Sequence, residues 1–162
     1  MRESSDYTAM PDALGEDDDG FVASYLLYLL AAASTEASAQ FHVTTRKAGL
    51  RVPEWRVLAC LSDRDGQMIT QLARFALVEQ SRLTRIIVQM DARGLVERRG
   101  DPDDRRRVRV YLTEPGRVLA DRLVAEAQQH EADLLRRLEH GDGARLKPAL
   151  RALLSALKAP PA

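Results

Sequence analysis

The chain has 162 residues, of which 45% are hydrophobic and 30% charged, a composition that allows one folded domain with its own core and excludes wholesale disorder. Its one cysteine, Cys60, cannot form an internal disulfide, and the longest apolar run, Phe21 to Ala33, is shorter than the roughly 20 residues of a bilayer crossing. Because no signal-peptide pattern is present either, we expect a cytoplasmic protein with no membrane partner.

A formal net charge of zero conceals an uneven distribution of charge along the chain. Residues 1–19 carry seven acidic side chains against the single basic Arg2, so the rest of the chain has 23 basic and 17 acidic side chains. We interpret residues 1–19 as an acidic, mobile tail. The folded body is therefore basic.

Apolar residues at helical spacing predict a long first helix within residues 20–48, whose early half is apolar on nearly every side. Gly49 interrupts the pattern, and a second helix restarts at Val52-Pro53, because the fixed φ of proline suits a first helical turn. Asp65-Gly66 closes this second helix.

The next stretch predicts two helices separated by a short break. Thr70 is expected to cap the first of them, with Leu72, Ala73 and Phe75 facing inward. The second runs from about Glu79 to Arg93 and ends at Gly94. Its apolar face is formed by Leu83, Ile86, Ile87 and Met90, and its outward face, which is cationic and hydrogen-bonding, by Ser81, Arg82, Arg85 and Gln89.

Alternating apolar residues then predict a two-stranded hairpin over residues 95–113, with turn residues and a cluster of arginines near its tip. The arginines are Arg105, Arg106, Arg107 and Arg109, and Asp101, Asp103 and Asp104 precede them. We expect these acids to pair with some of the arginines and hold the loop in one conformation, with Asp104 and Arg106 as the first pairing to test.

Two further helices are predicted at about 117–140 and 142–158. Their leucine stripes, like the apolar first helix, exceed what a small domain can cover. This surplus predicts a homodimer formed by residues 20–48 and 117–158.

The order of helix, turn, second helix and arginine-rich hairpin over residues 49–116 is that of a winged helix-turn-helix. The predicted fold is thus mainly α with a small β-hairpin wing, plus N- and C-terminal dimerisation helices. Such a second helix fits the major groove of double-stranded DNA, and arginines at the tip of the wing can contact phosphates and the minor groove.

Three motifs resemble the MarR family of transcription regulators: Gly94-Leu95-Val96-Glu97-Arg98, Asp101 to Arg106, and Leu112 to Gly116. The resemblance implies an intertwined homodimer on a pseudo-palindromic operator, commonly a repressor, which a small ligand releases. It places Gln80, Ser81, Arg82, Thr84, Arg85, Arg105 and Arg106 at the DNA, and we add Gln89 and Arg107 from the patterns above, with Asp104 stabilising the wing. Arg82 departs from the family, in which small polar residues are more usual at that position.

Members of the family sense either small, often aromatic, anions or oxidants, and residues 41–59 resemble the subgroup of regulators that controls aromatic-acid catabolism. An anionic aromatic effector could stack on Trp55 and pair with Arg46 or Arg56, with His42 one helical turn before Arg46. The alternative is structural: Trp55 anchors the core, His42 lies at an interface, and the arginines are surface charge. Oxidant sensing would require Cys60, whose apolar neighbours favour a buried structural thiol instead.

Two other classes of function compete with DNA binding. An enzyme is disfavoured because the three histidines lack metal-ligand spacing and no glycine-rich phosphate loop is present, so we expect no catalytic residue, no metal and no cofactor. A winged-helix module that binds protein instead of DNA stays open, and it would lack a steep dependence of binding on salt.

Overall fold

The computed structural model describes residues 20–104, 107–138 and 142–158. Its elements, in chain order, are α1 (Phe21–Ser24), α2 (Leu26–Lys47), α3 (Val52–Asp63), β1 (Gln67–Met68), α4 (Ile69–Ala76), α5 (Gln80–Ala92), β2 (Val96–Gly100), β3 (Val108–Leu112), α6 (Glu114–Arg136) and α7 (Asp142–Lys158). The fold is mainly α-helical with a small antiparallel sheet, as the sequence predicted. The predicted tail, residues 1–19, lies outside the described residues.

The chain divides into two compact units at Ala39, within α2. In the first unit, the single helix predicted from residue 20 is wrong in one respect, because Tyr25 is extended (ψ 120°) and separates α1 from α2. The Ser24 hydroxyl donates to the Phe21 carbonyl at 3.2 Å, a local bond that competes with helix continuation. The Tyr25 carbonyl then accepts from the N–H of Leu29 and begins α2.

The second unit, from Gln40 onward, contains the predicted helix-turn-helix and wing. Its core is formed by the buried faces of α3, α4, α5 and α6 and by the inner face of the sheet, and its largest fully buried side chains include Leu58, Leu61, Leu72, Leu83, Ile87, Met90 and Leu123. The core therefore contacts only the apolar face of α5 and leaves the opposite face exposed.

The wing is the predicted hairpin with one strand more. β2 and β3 pair antiparallel with Val96 opposite Leu112 and Gly100 opposite Val108, and β1 pairs along the free edge of β3. Two residues are too short to produce an alternating pattern, so the sequence did not reveal β1.

Two details predicted for α4 are wrong. The helix begins at Ile69 after Met68, whose N–H donates to the Gln71 side chain at 3.2 Å, so Thr70 lies inside the first turn and caps nothing. Phe75 is 68% exposed, because Leu72, Ala73 and Ala76 form the buried face. The pairing of β1 with β3 sets the start of α4, a tertiary constraint that outweighs the capping preference of threonine.

α6 starts three residues earlier than predicted, with Thr113 as its N-cap and Pro115 in its first turn. Within the described ranges, no helix is both long and apolar enough to span a bilayer.

Candidate nucleic-acid interface

The helix α5 presents two chemically different faces, as predicted. Leu83, Ile86, Ile87 and Met90 are buried, and the opposite face is exposed with the side chains of Gln80, Ser81, Arg82, Thr84, Arg85 and Gln89. We call α5 the recognition helix.

The start of the recognition helix is closed by a carboxylate. The Glu79 side chain accepts from the backbone N–H of Ser81 at 3.0 Å and of Arg82 at 3.2 Å, and also from the Ser81 hydroxyl. The hydrogen bonds from Ser81 lower the pKa of Glu79. Glu79 is thus an ionised N-cap, which also suits the positive end of the helix dipole.

The end of the recognition helix is held by a buried carboxylate of α3. Glu54 is 2% exposed and accepts from Arg51 at 3.0 Å and from Arg93 at 3.1 Å. Arg93 also donates to the Gly49 carbonyl at 2.7 Å, and Arg51 donates to the side chain of Gln89. Gln89 therefore differs from Arg82 and Arg85, because its side-chain oxygen already has a partner.

Burial alone would raise the pKa of Glu54. The hydrogen bonds and charge of Arg51, together with the charge of Arg93, outweigh that effect and lower its pKa below the ordinary value. Glu54 is consequently ionised at neutral pH, and it links Arg51, the residue before α3, to Arg93, the residue after α5.

A second carboxylate fixes the base of the wing. Asp101 is 4% exposed, and its Oδ1 accepts from the N–H of Asp103 at 2.9 Å and of Asp104 at 3.2 Å. Its Oδ2 accepts from Nε of Arg109 at 2.5 Å, and Arg109 also donates to the Gly66 carbonyl at 3.0 Å. The N–H of Asp103 first, and the Arg109 side chain after it, lower the pKa of Asp101 against the effect of burial.

At the tip of the wing, Asp104 pairs with Arg107 at 3.3 Å. The predicted pairing of Asp104 with Arg106 cannot be placed, since Arg105 and Arg106 lie outside the described residues. Among the three acids expected to order the loop, Asp101 makes the most hydrogen bonds within the described residues, although Asp104 was the acid predicted to stabilise the wing.

An open groove of about 480 Å³ lies between the start of α4, the recognition helix and the wing. Its lining residues are Met68, Ile69, Thr70, Gln80, Thr84, Arg107 and Val108. It brings Gln80 and Thr84 of the recognition helix to the same concave surface as Arg107 of the wing.

Three residues that position this surface were missed. Asp65 accepts from the N–H of Leu112 at 3.0 Å and from Arg117 at 2.6 Å, which ties the turn after α3 to the end of the wing. Asp91 pairs with Arg98 at 2.8 Å, which joins α5 to β2. Thr113 donates to the Gly94 carbonyl. Only the Asp65-Gly66 turn offered a sequence signal.

The predicted effector residues lie at the end of α2 and in α3. Burial first, then the positive charges of Arg56 and Arg46, lower the pKa of His42, so the three side chains form one electropositive cluster. Arg56 also donates to the carbonyl of Ala76, the last residue of α4, at 3.0 Å.

Trp55, the residue before Arg56 in α3, is half-buried. Its ring meets Phe41 edge-on with centroids 5.2 Å apart, and Phe41 stacks on His130 at 5.8 Å. Trp55 also lines a shallow groove of about 200 Å³ between α3 and α6. Trp55 therefore packs against Phe41 on one part of its ring and lines an open groove with another.

Cys60 is half-buried on α3, and burial, followed by the charge of Asp63, raises the pKa of its thiol. Both effects disfavour the ionised thiolate, which is the form that reacts with oxidants.

Known proteins resemble this chain in sequence and fold. A family model described as the MarR family matches residues 50–108. The crystal structure of a MarR family transcriptional regulator from Silicibacter pomeroyi DSS-3 is 61% identical, with a TM-score of 0.80, over 86% of this chain and 100% of that one. The structure of BpsR from Bordetella bronchiseptica, solved to explain regulation of its DNA binding by 6-hydroxynicotinic acid, is 25% identical, with a TM-score of 0.73, over 85% of this chain and 96% of that one.

The transcriptional repressor IacR of Pseudomonas putida is 35% identical over 71 residues, which are 44% of this chain. The match covers 42% of IacR, so the chain spans less than half the length of that relative. All these relatives are transcription regulators, and none is named as an enzyme. Together with the winged helix-turn-helix and its motifs, they establish that this chain belongs to the MarR family of transcription regulators.

Proposed function

We propose that the chain binds a pseudo-palindromic DNA operator as a homodimer, acts as a repressor, and is released by a small anionic aromatic effector. The observation that carries the DNA-binding part is the exposed polar face of the recognition helix, supported from behind by buried leucine, isoleucine and methionine. Arg82 and Arg85 extend from it, and their guanidinium groups have no hydrogen-bond partner in the part of the chain that the structure describes. Free guanidinium groups suit phosphates and guanine edges.

Titration of the protein with the DNA upstream of its own coding sequence, followed by fluorescence anisotropy, tests this proposal. Binding that uses about six to ten phosphate contacts weakens by roughly 10³ to 10⁵ between about 50 and 200 mM salt. Arg82→Ala should weaken binding and Arg106→Ala should reduce the salt dependence. Arg122→Ala, an exposed arginine of α6, is the matched control. Affinity that is independent of salt and of Arg82 would favour the protein-binding alternative.

The homodimer is proposed from apolar side chains that remain exposed on the terminal helices. Phe21 on α1, Leu26 and Leu27 on α2, and Leu154 and Leu157 on α7 are all exposed. Water-exposed apolar surface of this kind is costly in a monomer and is covered in symmetric assemblies.

The effector part rests on the electropositive cluster of His42, Arg46 and Arg56, and on Trp55, which precedes Arg56 in α3. A carboxylate is the complementary charge, and the exposed portion of Trp55 offers an aromatic face. Arg56 connects this cluster to the helix-turn-helix, because it donates to the end of α4. An anion that drew Arg56 away would release that carbonyl just before the recognition helix, which is a route from effector to DNA.

A pH dependence tests the effector site. Burial first, and then the charges of Arg56 and Arg46, hold the pKa of His42 below its ordinary value, and a bound carboxylate offsets those charges and raises it. Affinity for 6-hydroxynicotinate or benzoate should therefore be highest below the pKa of free His42 and fall as pH rises through the pKa of the complex. Calorimetry between about pH 5.5 and 7.5 should detect proton uptake on binding, and His42→Gln should abolish it. Uptake that persists in His42→Gln would remove His42 from the site.

A further inference from the structure

The two hydroxyl groups on the recognition helix both donate their hydrogen atoms inside the protein. A serine or threonine hydroxyl has one hydrogen to donate and two lone pairs that accept. Where the hydrogen is engaged decides what the oxygen can offer to DNA.

The hydroxyl of Ser81 is hydrogen-bonded to the Glu79 carboxylate. An ionised carboxylate can only accept, so Ser81 must be the donor. Glu79 is fixed in this position by two more hydrogen bonds, from the backbone N–H groups of Ser81 and Arg82. Loss of the Ser81 bond would leave a less stabilised negative charge beside the phosphates of a bound duplex.

Thr84 is in the same situation one turn later. Its Oγ1 lies 3.0 Å from the carbonyl oxygen of Gln80, which is also an obligate acceptor. Thr84 therefore donates to Gln80, and its oxygen keeps two lone pairs that can accept on the exposed side of the helix.

We propose that Ser81 and Thr84 read the operator only as hydrogen-bond acceptors, and that each faces an exocyclic amino group of adenine or cytosine in the major groove. Those amino groups, N6 of adenine and N4 of cytosine, are the donors on the base edges of that groove, whereas guanine N7 and O6 and thymine O4 accept. The inference rests on the proposed function, since it requires the recognition helix to contact bases.

The arginines of the same face have the opposite character. Arg82 and Arg85 can only donate, so they suit the acceptors of guanine or the phosphates. On the recognition helix, the arginines thus contact hydrogen-bond acceptors of the DNA, whereas the hydroxyls contact hydrogen-bond donors. The preference of each hydroxyl is set by its hydrogen-bond partner within the protein.

Removal of single amino groups from the operator provides the test. The operator is first selected from a random duplex library with the full chain. Each adenine is then replaced by purine and each cytosine by 2-pyrimidinone, one position at a time, which deletes the amino group and keeps the base. We expect at least one position where the wild-type protein loses about three- to tenfold in affinity and Ser81→Ala loses none, and another that behaves in this way with Thr84→Val.

The variant Glu79→Gln distinguishes a role of Glu79 and Ser81 in base recognition from a role of Glu79 as a helix cap alone. Its amide can donate as well as accept, so the Ser81 hydroxyl becomes free to donate, and the selected preference should relax to include guanine or thymine at the Ser81 position. A cap that only stabilises the helix would instead lower affinity equally for all sequences, which would overturn the role given to Glu79 and Ser81.

Two other outcomes are distinguishable. An operator that binds with strong sequence preference, yet tolerates every amino-group deletion in the wild-type protein, overturns this inference and leaves the proposed function standing. A library from which no sequence is enriched overturns the proposed function, and this inference with it.

Discussion

Gly116 lies in the first turn of α6, where the backbone leaves the wing, and it is in direct contact with Leu95, the residue before β2. A Cβ at this position would lie 1.8 Å from the carbonyl oxygen of Leu95, which is backbone and cannot move aside. Gly116→Ala should therefore destabilise the protein by about 3 kcal/mol or more, the upper range of overpacking effects, in urea unfolding followed by circular dichroism. Gly100→Ala, whose Cβ would meet nothing within 4 Å, is the control and should change stability by under about 1 kcal/mol. Equal effects of the two substitutions would show that the contact at Leu95 is relieved in solution.

At the scale of single residues, helical spacing predicted which side chains of α5 are exposed, because burial on a helix follows a period that can be counted. Partners far apart in sequence were not predictable in this way. Gln89 lies on the exposed face as expected, but its contact with Arg51 depends on how the start of α3 packs beside the end of α5. The predicted inward orientation of Phe75 is wrong for the same kind of reason, since the neighbouring alanines, which permit close helix packing, form the buried face instead.

Among the elements, the wing depends most on one carboxylate, because Asp101 accepts from two backbone N–H groups of the loop and from Arg109 of β3. Asp101→Asn removes the charge that Arg109 pairs with and disturbs these acceptor contacts. We expect affinity for the operator to fall by about tenfold or more, since a misplaced wing loses at least one charge-assisted contact to DNA. Asp103→Asn, which makes the same change of charge in the same loop at an exposed side chain, is the control for long-range electrostatics. Equal losses of affinity in the two variants would mean that the change of charge alone lowers the affinity, and not the loss of the contacts that Asp101 makes with the loop and with Arg109.

The elements themselves were predictable where the chain carries a clear period or turn. The hairpin followed from alternation of apolar residues, and the end of α5 followed from Gly94, which has φ +67°. β1 was missed because two residues carry no period, and the interruption at Tyr25 was missed because the apolar pattern continues through it. In each case the deciding contact is a hydrogen bond, with β3 or with the Ser24 hydroxyl, which hydrophobic patterning does not register.

At the scale of the whole molecule, three sequence motifs identified the family. The family in turn suggests that the excess of basic side chains after residue 19 serves to bind DNA. The electropositive cluster shows what sequence motifs could not predict. Helical spacing predicted that His42 and Arg46 lie on the same face of α2. The proximity of Arg56 to His42, and its hydrogen bond to the carbonyl of Ala76 in α4, depend on the packing of α3 and were not predictable in this way. The identity of a ligand depends on the shape around such a cluster, which no local pattern in the chain encodes.

The proposed dimer is a property of the whole molecule and can be broken at α7 without altering the DNA-binding surface. Leu157 is 73% exposed, and Leu154 is exposed one turn earlier, so neither side chain contributes to the core. Leu154→Glu combined with Leu157→Glu should yield a helical monomer, because two carboxylates cannot be buried in an apolar interface without a partner. Light scattering after size exclusion measures the mass, and circular dichroism verifies the helix content.

A monomer retains one recognition helix and one wing, so its affinity for the complete operator should fall by more than about a hundredfold, as expected when two linked contacts become one. Leu77→Glu, an equally exposed leucine outside the terminal helices, is the control and should remain a dimer. A double variant that stays dimeric and keeps wild-type affinity would show that α7 does not form the interface. A variant that is monomeric yet binds the complete operator unchanged would show that one subunit suffices, which would remove the homodimer from the proposed function.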